Sequence, residues 1–389
     1  MPTALLATAD MGGNIPPELA IAGELQRRGW RVVVHGEDRL RERVEAAGLP
    51  FALAEGYPYD PVRPTSTARA LRTMTGFLAD RSRGRSAVAV AEREGADVVL
   101  VDALLLGVLA QVQEAGLRSV VVVHTSWDYF ARTYGPGPVA ALMRLRGVSA
   151  MRAFAGADRV LVASDERFGS AKALPPNTVR TGAVLQEVPA EPRREDPPLV
   201  LVSLSTVFFP GMTEALQRVL DALAPLPVRV EVTAGRAVRV DDLRVPANAT
   251  LHGFVDHAEL LPRADLVIGH GGHATTVRAL AHGVPLLVLP MHPMLDQPMI
   301  GRAVAEAGAG LRLPKSAKPE TIRAAVRRLL AEPAFRSAAE SVGAHLRSTD
   351  GAAAAADVVA ELAGRTDAAG QSRPVRLQAS SEDSSPASS

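Results

Sequence analysis

The sequence contains no cysteine. Disulfide bonds, thiolate nucleophiles and cysteine-ligated metals are therefore excluded, and a reducing compartment fits the composition. Net charge is nearly absent as well: 43 Lys and Arg against 42 Asp and Glu leave +1 at pH 7. That balance gives no electrostatic footprint for nucleic acid or for an anionic membrane surface. The many arginines are interspersed with Glu and Asp, the pattern of solvated helix faces. Long hydrophobic runs are missing too. Stretches such as Val98–Val101 and Val120–Val123 are far too short to span a bilayer. The opening MPTALLATADMGGN has no basic leader and meets a glycine pair at once, so no secretory signal is expected and the expected location is cytoplasmic.

What is present is a chain of 389 residues, 47% hydrophobic and 22% charged, the balance of a soluble globular protein too long for one core. Short β-branched runs alternate with longer Ala/Leu/Arg helical stretches, the rhythm of parallel α/β units. Strands are predicted at Ala4–Thr8, Arg31–His35, Asp97–Val101, Ser119–His124 and Arg159–Ala163, with a helix over Pro17–Arg28 closed by Gly29. Tyr57–Arg85 has weak periodicity and is read as a long functional loop. Residues 1–174 form a first domain, and the Pro-rich stretch 175–198 reads as an extended linker. Residues 199–365 form a second α/β domain that ends in three helices, near Pro319–Ala331, Pro333–Arg347 and Gly351–Gly364. The polar tail 366–389 has too little to bury and is expected to lack a fold. Two such halves imply a cleft, with ligands beyond the carboxyl ends of the strands.

The most informative segment is DLVIGHGGHATTVRALAHGVPLLVLPMHPMLDQP, Asp265–Pro298. An apolar strand runs into His270-Gly271-Gly272-His273, and a helix starts at about Ala274. Glycines admit close backbone approach, and a helix N-terminus offers unpaired N–H groups to an anion. His270, His273 and the hydroxyl of Thr275 add donors, so the segment outlines a diphosphate site. Gly283-Val284-Pro285 then opens another buried strand, followed by Asp296-Gln297, a carboxylate and an amide suited to vicinal sugar hydroxyls. His270, His273 and His282 do not share a helical face, and no carboxylate is interleaved, so no metal site is expected there.

The order His270-Gly-Gly-His-Ala-Thr275, Gly283-Val-Pro285, Asp296-Gln297 resembles the donor signature of family 1 glycosyltransferases of the GT-B fold, a group that includes actinobacterial antibiotic enzymes. The resemblance implies an α/β protein of two Rossmann-like, doubly wound domains facing each other across a cleft. It implies that His270 and the amides of Gly272, His273, Ala274 and Thr275 hold the diphosphate of a UDP- or dTDP-linked sugar, and that Asp296 and Gln297 read the sugar. Ser205 and Thr206 match a loop that approaches the phosphates, and Phe254 or Val255 match the turn beside the nucleobase. The expected reaction is inverting and metal-independent, needs no cofactor beyond the nucleotide sugar, and acts on a small, apolar or aromatic acceptor. Trp127, Tyr129, Phe130 and Tyr134, with Tyr57–Arg85, are the expected acceptor lining.

One departure stands out. Where the family places a basic His after the first strand, this chain has Asn14, whose amide cannot accept a proton near neutrality. Asp102, which follows the next inner strand as the family's His-orienting Asp does, is the favoured proton acceptor. Asp10 and His124, at strand ends of the same face, are alternatives, as are an acceptor that needs no strong base and a weakly catalytic protein. Asn14 itself either positions the acceptor or serves the loop and the following helix. A non-catalytic nucleotide-sugar-binding partner of another transferase is the rival reading.

Overall fold

A computed structural model of the chain is an α/β protein built on two all-parallel sheets. It describes residues 1–57, 59–60, 67–169, 174–185, 192–193, 195–235, 237–238, 240–253 and 255–369. The first sheet takes strands β1 (Thr3–Ala7), β2 (Arg31–Gly36), β3 (Phe51–Leu53), β4 (Val98–Asp102), β5 (Ser119–Val123), β6 (Arg159–Val162) and β7 (Thr178–Arg180). Its helices are α1 (Ile15–Arg27), α2 (Arg41–Ala46), α3 (Thr67–Leu78), α4 (Arg81–Glu94), α5 (Leu106–Glu114), α6 (Trp127–Tyr134), α7 (Pro138–Leu145) and α8 (Ala150–Gly156). The second sheet takes β8 (Leu199–Ser203), β9 (Arg229–Thr233), β10 (Ala249–His252), β11 (Ala264–Gly269), β12 (Leu286–Val288) and β13 (Gly310–Arg312). Between and after these strands run α9 (Met212–Leu223), α10 (His257–Leu260), α11 (His273–Ala281), α12 (Gln297–Glu306), α13 (Pro319–Ala331), α14 (Pro333–Arg347) and α15 (Gly351–Ala369).

Both sheets have the same winding. The orders are β3-β2-β1-β4-β5-β6-β7 and β10-β9-β8-β11-β12-β13, so each runs outward from its first strand in both directions. Parallel strands need crossovers, and crossovers put helices on both faces. That is why TALLA, VVLVD and SVVVV are buried along their whole lengths. Two apolar clusters flank each sheet. In the first domain one includes Val99, Val121 and Phe130, and the other Leu6, Leu25 and Leu100. Gly29 closes α1 with φ +82°, the left-handed conformation that its place in the sequence predicts. Among the described residues no helix is long and apolar enough to cross a membrane.

Three expectations about organisation are corrected. Tyr57–Arg85 is not one long loop, because it contains α3 and the start of α4, which Asp80 caps by accepting from the Ser82 amide at 2.9 Å. The periodicity was hidden because Arg83 takes a core-facing position. It is 2% exposed, lies 4.7 Å over the Phe77 ring and pairs with Glu37 at 3.3 Å. Residues 58 and 61–66 of that stretch lie outside the described residues. The stretch 175–198 is not linker throughout, since β7 adds to the edge of the first sheet and Asn177 ties it to the carbonyls of Phe154 and Ala157 at 2.8 and 2.9 Å. Pro175 and Pro176 sit beside this edge strand, where missing donors are tolerated.

The third correction concerns the end of the chain. α15 does not stay in the second domain. Ala355, Ala356 and Val359 are fully buried in one cluster with Ile21, Ala22 and Leu25 of α1. Arg28 clasps the helix through Asp357 at 2.5 Å and the Ala353 carbonyl at 3.2 Å. The apolar stripe in GAAAAADVVAELAG announced a helix but not which domain it covers, because alanine faces carry little partner information. The helix also runs to Ala369, past the start of the expected unfolded tail, and residues 370–389 lie outside the described residues. Placing a charge in this seam without a partner, as in Ala356→Asp, is expected to lower stability by about 3 kcal/mol or more, measured by urea denaturation.

Candidate active site

In each sheet the chain reverses direction beside its first strand, between β1 and β4 and between β8 and β11. Loops leaving adjacent strands toward opposite faces open a crevice there. Asn14 follows β1, Asp102 ends β4 and His124 follows β5; Ser205 follows β8 and His270 follows β11. The two crevices face each other closely. A Cβ placed on Gly12, which has φ +96°, would lie 3.1 Å from the Thr206 hydroxyl, and one on Gly13 would lie 3.6 Å from the Ala274 Cβ. A side chain at 12 would therefore be strained and crowd Thr206, and one at 13 would just touch the N-terminus of α11.

On the first-domain side the centre is a buried polar knot. Asp102 is 1% exposed. One of its oxygens accepts from the Leu104 amide at 2.6 Å and the other from the Asn14 side-chain amide at 2.7 Å. Asn14 is fully buried. Its Nδ2 also donates to the Ala9 carbonyl at 2.8 Å, while its Oδ1 accepts from the Met11 amide at 3.2 Å. Acceptors on one side and a donor on the other fix the orientation of the amide. Asn14 thus closes the first loop and holds Asp102. It neither caps α1 with its side chain nor reaches the cleft, so its candidacy as an acceptor-positioning residue is corrected.

Asp102, the favoured proton acceptor, is buried with both oxygens engaged, so taking a proton directly would require one of these hydrogen bonds to be released. Asp10 makes different contacts. It accepts from the Gly12 amide at 3.1 Å and lies 4.0 Å from the Arg39 guanidinium. His124 remains. Its Nδ1 faces Asp102 at 3.6 Å, its ring stands edge-on to Phe130, and its side chain is 15% exposed. It is close enough to the second domain to act electrostatically on Asp296 and His273. The knot has one member that the sequence reading did not single out. Glu18 is 1% exposed, accepts a short hydrogen bond from the Thr8 hydroxyl and places one oxygen within 4.8 Å of an Asp102 oxygen. Its place four residues after Asn14 puts both on one face of α1, the signal that was available.

On the second-domain side β11 delivers His270, and Gly271 turns the chain with φ +84° into α11. A Cβ on Gly271 would stand 2.7 Å from Val288, and one on Gly272 would stand 2.5 Å from the His270 ring nitrogen. Both glycines are therefore obliged by packing. Burial lowers the His270 imidazole to about 4, so it is neutral near pH 7 and carries a single ring N–H. Its Nδ1 has no hydrogen-bond partner among the described residues, an orphan that a ligand oxygen or water can satisfy. The first turn of α11 offers the N–H groups of His273, Ala274 and Thr275, which have no intrahelical acceptors. Ser205 holds its own loop by accepting from the Val207 amide at 3.0 Å, and Thr206 is exposed.

Several predicted roles change. His273 turns to the first domain, with its Nε2 2.8 Å from the Ser164 hydroxyl and its ring against Phe168; burial lowers it to about 3. Its side chain is thus an interdomain contact, and only its backbone amide faces the helix end. Asp296 and Gln297 begin α12 rather than end a strand. Gln297 is 2% exposed, and its oxygen accepts from the Met291 and His292 amides at 2.7 and 3.0 Å. Asp296 accepts from the Thr125 hydroxyl across the cleft at 2.8 Å, and burial raises its carboxyl. Trp127 and Phe130 are core residues, packed with Tyr134 and Phe154, because positions 127, 130 and 134 share one face of α6. Only Tyr129 of the proposed aromatic lining is partly buried beside Asp296. Val255 packs partly buried against the second-domain core, and Phe254 lies outside the described residues.

Comparison with known proteins agrees with this architecture. Residues 217–362 match the family described as "Erythromycin biosynthesis protein CIII-like, C-terminal domain". The chain is 32% identical over 169 residues to demethyllactenocin mycarosyltransferase of Streptomyces fradiae, covering 42% of this chain and 36% of that one. It is 34% identical over 216 residues to a PGL/p-HBAD biosynthesis glycosyltransferase of Mycobacterium tuberculosis, covering 52% and 48%. The chain thus spans about a third to a half of the length of the curated relatives it matches. Among solved structures, the calicheamicin glycosyltransferase CalG4 superposes with a TM-score of 0.74 at 22% identity, over 94% of this chain and 99% of that one. Spinosyn rhamnosyltransferase SpnG gives 0.67 at 20%, over 92% and 100%. The fold is GT-B. The resemblance to family 1 glycosyltransferases of the natural-product type, first carried by His270–Gln297, is borne out by these matches.

The buried state of Asn14 generates a direct expectation. Asn14→Ala removes a donor from a buried carboxylate and is expected to cost about 2–3 kcal/mol of stability in chemical denaturation, whether or not ligand is present.

Proposed function

We propose that the protein is a glycosyltransferase that moves a sugar from a nucleoside-diphosphate donor to a hydroxyl of a small-molecule acceptor. The observation that carries this reading is the place of His124. It is the titratable side chain that stands between buried Asp102 and the second-domain segment holding His270, the α11 N-terminus and Asp296. In this reading His124 takes the acceptor proton, with Asp102 orienting its Nδ1. The acceptor oxygen then attacks the anomeric carbon as the bond from that carbon to the diphosphate breaks, inverting the centre in one displacement. The leaving diphosphate is stabilised by the helix end and by the His270 N–H, so no divalent cation is required. Asp296 exchanges the Thr125 hydroxyl for one of the sugar's, while Gln297 keeps the 291–292 turn in place.

SpnG has been solved with thymidine diphosphate and with spinosyn aglycone, which supports a dTDP-linked donor and an apolar acceptor here. The non-catalytic alternative rests on Asn14, and His124 acting as base would remove that ground.

The test is incubation with a panel of UDP- and dTDP-sugars and candidate aglycones, with products read by mass and free nucleotide diphosphate by chromatography. Acceptor-dependent release of diphosphate that survives EDTA is expected. His124→Ala is expected to lower kcat/KM by about 10²–10⁴-fold, the usual worth of a general base. Binding without turnover across the panel, or a fully active His124→Ala, would overturn the reading. On the donor side, Gly272→Ala pushes the His270 ring aside. It is expected to weaken nucleoside diphosphate binding about tenfold or more, equal to roughly 1.4 kcal/mol, in calorimetry.

A further inference from the structure

Glu18 has no part in the donor signature, and nothing in the family resemblance assigns it a role, yet it lies at the core of the candidate active site. One oxygen of Glu18, one of Asp102 and a ring nitrogen of His124 all lie within 4.8 Å of one another. Both carboxyl groups are 1% exposed. Neither makes an ion pair with lysine or arginine among the described residues, and His124 at 3.6 Å is the nearest basic group to Asp102. The remaining polar neighbours are neutral: the Thr8 hydroxyl, the Asn14 amide and the Leu104 N–H. Two buried carboxyls within 4.8 Å of each other, with no lysine or arginine partner among the described residues, ionise together only at a high cost.

We propose that Glu18 and Asp102 share a single proton, borne by Glu18, and that Glu18 thereby acts as a positioning residue for His124. This deepens the reading of His124 as base and rests on it. Geometry distributes the roles. Asp102 receives two firm donors, the Leu104 amide and the Asn14 amide, and the His124 Nδ1 stands 3.6 Å away. Glu18 accepts from the Thr8 hydroxyl on one oxygen, and its other oxygen, buried with no hydrogen-bond donor among the described residues, is the poorer place for a charge. Negative charge settles on the carboxyl with more donors, and the proton on the other. Burial and the nearby Asp102 both push the Glu18 carboxyl well above the usual range, in the same direction.

The three groups also have the spacing of a cation site. However, the Asn14 NH₂ and the Thr8 hydroxyl already point hydrogens at the two carboxyls, an arrangement that complements a shared proton rather than a metal.

The consequence is a tempered base. A carboxylate that accepts from Glu18 pulls less strongly on an imidazolium than a free one does. The other groups facing His124 are Asp296 of α12 and His273 of α11, and Tyr134 of α6 faces Asp102; none replaces Glu18 as a donor to Asp102. The pair also sets a pH dependence of folding. Glu18 is raised in the folded state, so its contribution is fully present below the ordinary glutamate range and is lost as pH rises through the folded value.

The decisive experiment uses the full chain and needs no substrate. Difference infrared spectra of wild type against Glu18→Gln near neutral pH are expected to show the carbonyl stretch of a neutral carboxylic acid, lost in the variant. Its absence would overturn the proposal without touching the glycosyl-transfer reading. If the same band disappears when the wild type is titrated with zinc or magnesium at micromolar levels, the site holds a cation and the proposal fails. In active enzyme, Glu18→Met removes the donor to Asp102 and is expected to move the acid limb of the kcat/KM–pH profile upward by about half a unit or more. Glu18→Gln retains a donor and is expected to leave that limb in place. A downward shift of about one unit in Glu18→Gln is what loss of a negative charge would give, and would overturn the assignment.

Discussion

The crevice of the first domain is organised by the burial of Asp102. A carboxylate withdrawn from water must be met by donors, or it destabilises the fold by several kcal/mol. The topology supplies two, its own strand end through Leu104 and the first loop through Asn14, and brings Glu18 of α1 and His124 after β5 beside it. Each of these is at the carboxyl end of a strand or the start of a helix beside the β1/β4 reversal. The winding of the sheet therefore determines which side chains can meet. Asn14 at the position of a family base is intelligible on these terms. An amide there satisfies Asp102 permanently, whereas an imidazole would exchange protons with it.

The second crevice solves a different problem with the same winding. Its function in the proposed reaction is to hold negative charge that comes and goes, so it offers backbone donors instead of a fixed counter-charge. Gly271 and Gly272 are required because Val288 and the His270 ring occupy the space where a side chain would go. Neutral His270 adds a donor without a net charge that would have to be desolvated when the site is empty. The two halves thus divide the work: a dense, buried, proton-managing knot on one side and a backbone-lined anion seat on the other.

This division explains what could be read from the sequence. The donor half was legible because its parts are local. A buried strand, a glycine turn, a helix start and a second strand follow in order within Asp265–Pro298, and each has a backbone reason. The fold was legible for the same reason, down to the Gly29 terminus of α1. The acceptor half was not, because it is assembled from β1, α1, β4 and β5, so that Asn14 and His124 lie more than a hundred positions apart in the chain. The candidates His124 and Asp102 were within sight as strand-end residues, but Glu18 reads as the acidic first turn of an ordinary helix. Trp127 and Phe130 misled through composition: an aromatic cluster after a strand suggested a platform, while its helical spacing places it in the core. Asp296 and Gln297 were located in sequence but displaced in role, since a helix start turns Gln297 inward onto the 291–292 amides.

The two domains are also tied together at the residues that motif reasoning reserves for ligand. Thr125 donates to Asp296, Ser164 meets His273, and Asp165 pairs with His345 at 3.0 Å. α15 adds a further link, carrying the end of the chain back onto α1. The hydroxyl contacts are of a kind that nets only about 1 kcal/mol each, because water or another hydroxyl can take either place. A sugar hydroxyl presented to Asp296 can therefore displace Thr125 at little cost, whereas the α1–α15 seam, made of fully buried alanine and valine, cannot be exchanged for solvent. An assembly that is firm at its covalent and apolar seam and lightly held across its cleft can admit a donor between the domains without giving up their alignment. In the proposed reaction that asymmetry, more than any single residue, is what would let a base fixed in one crevice activate an acceptor against a leaving group seated in the other.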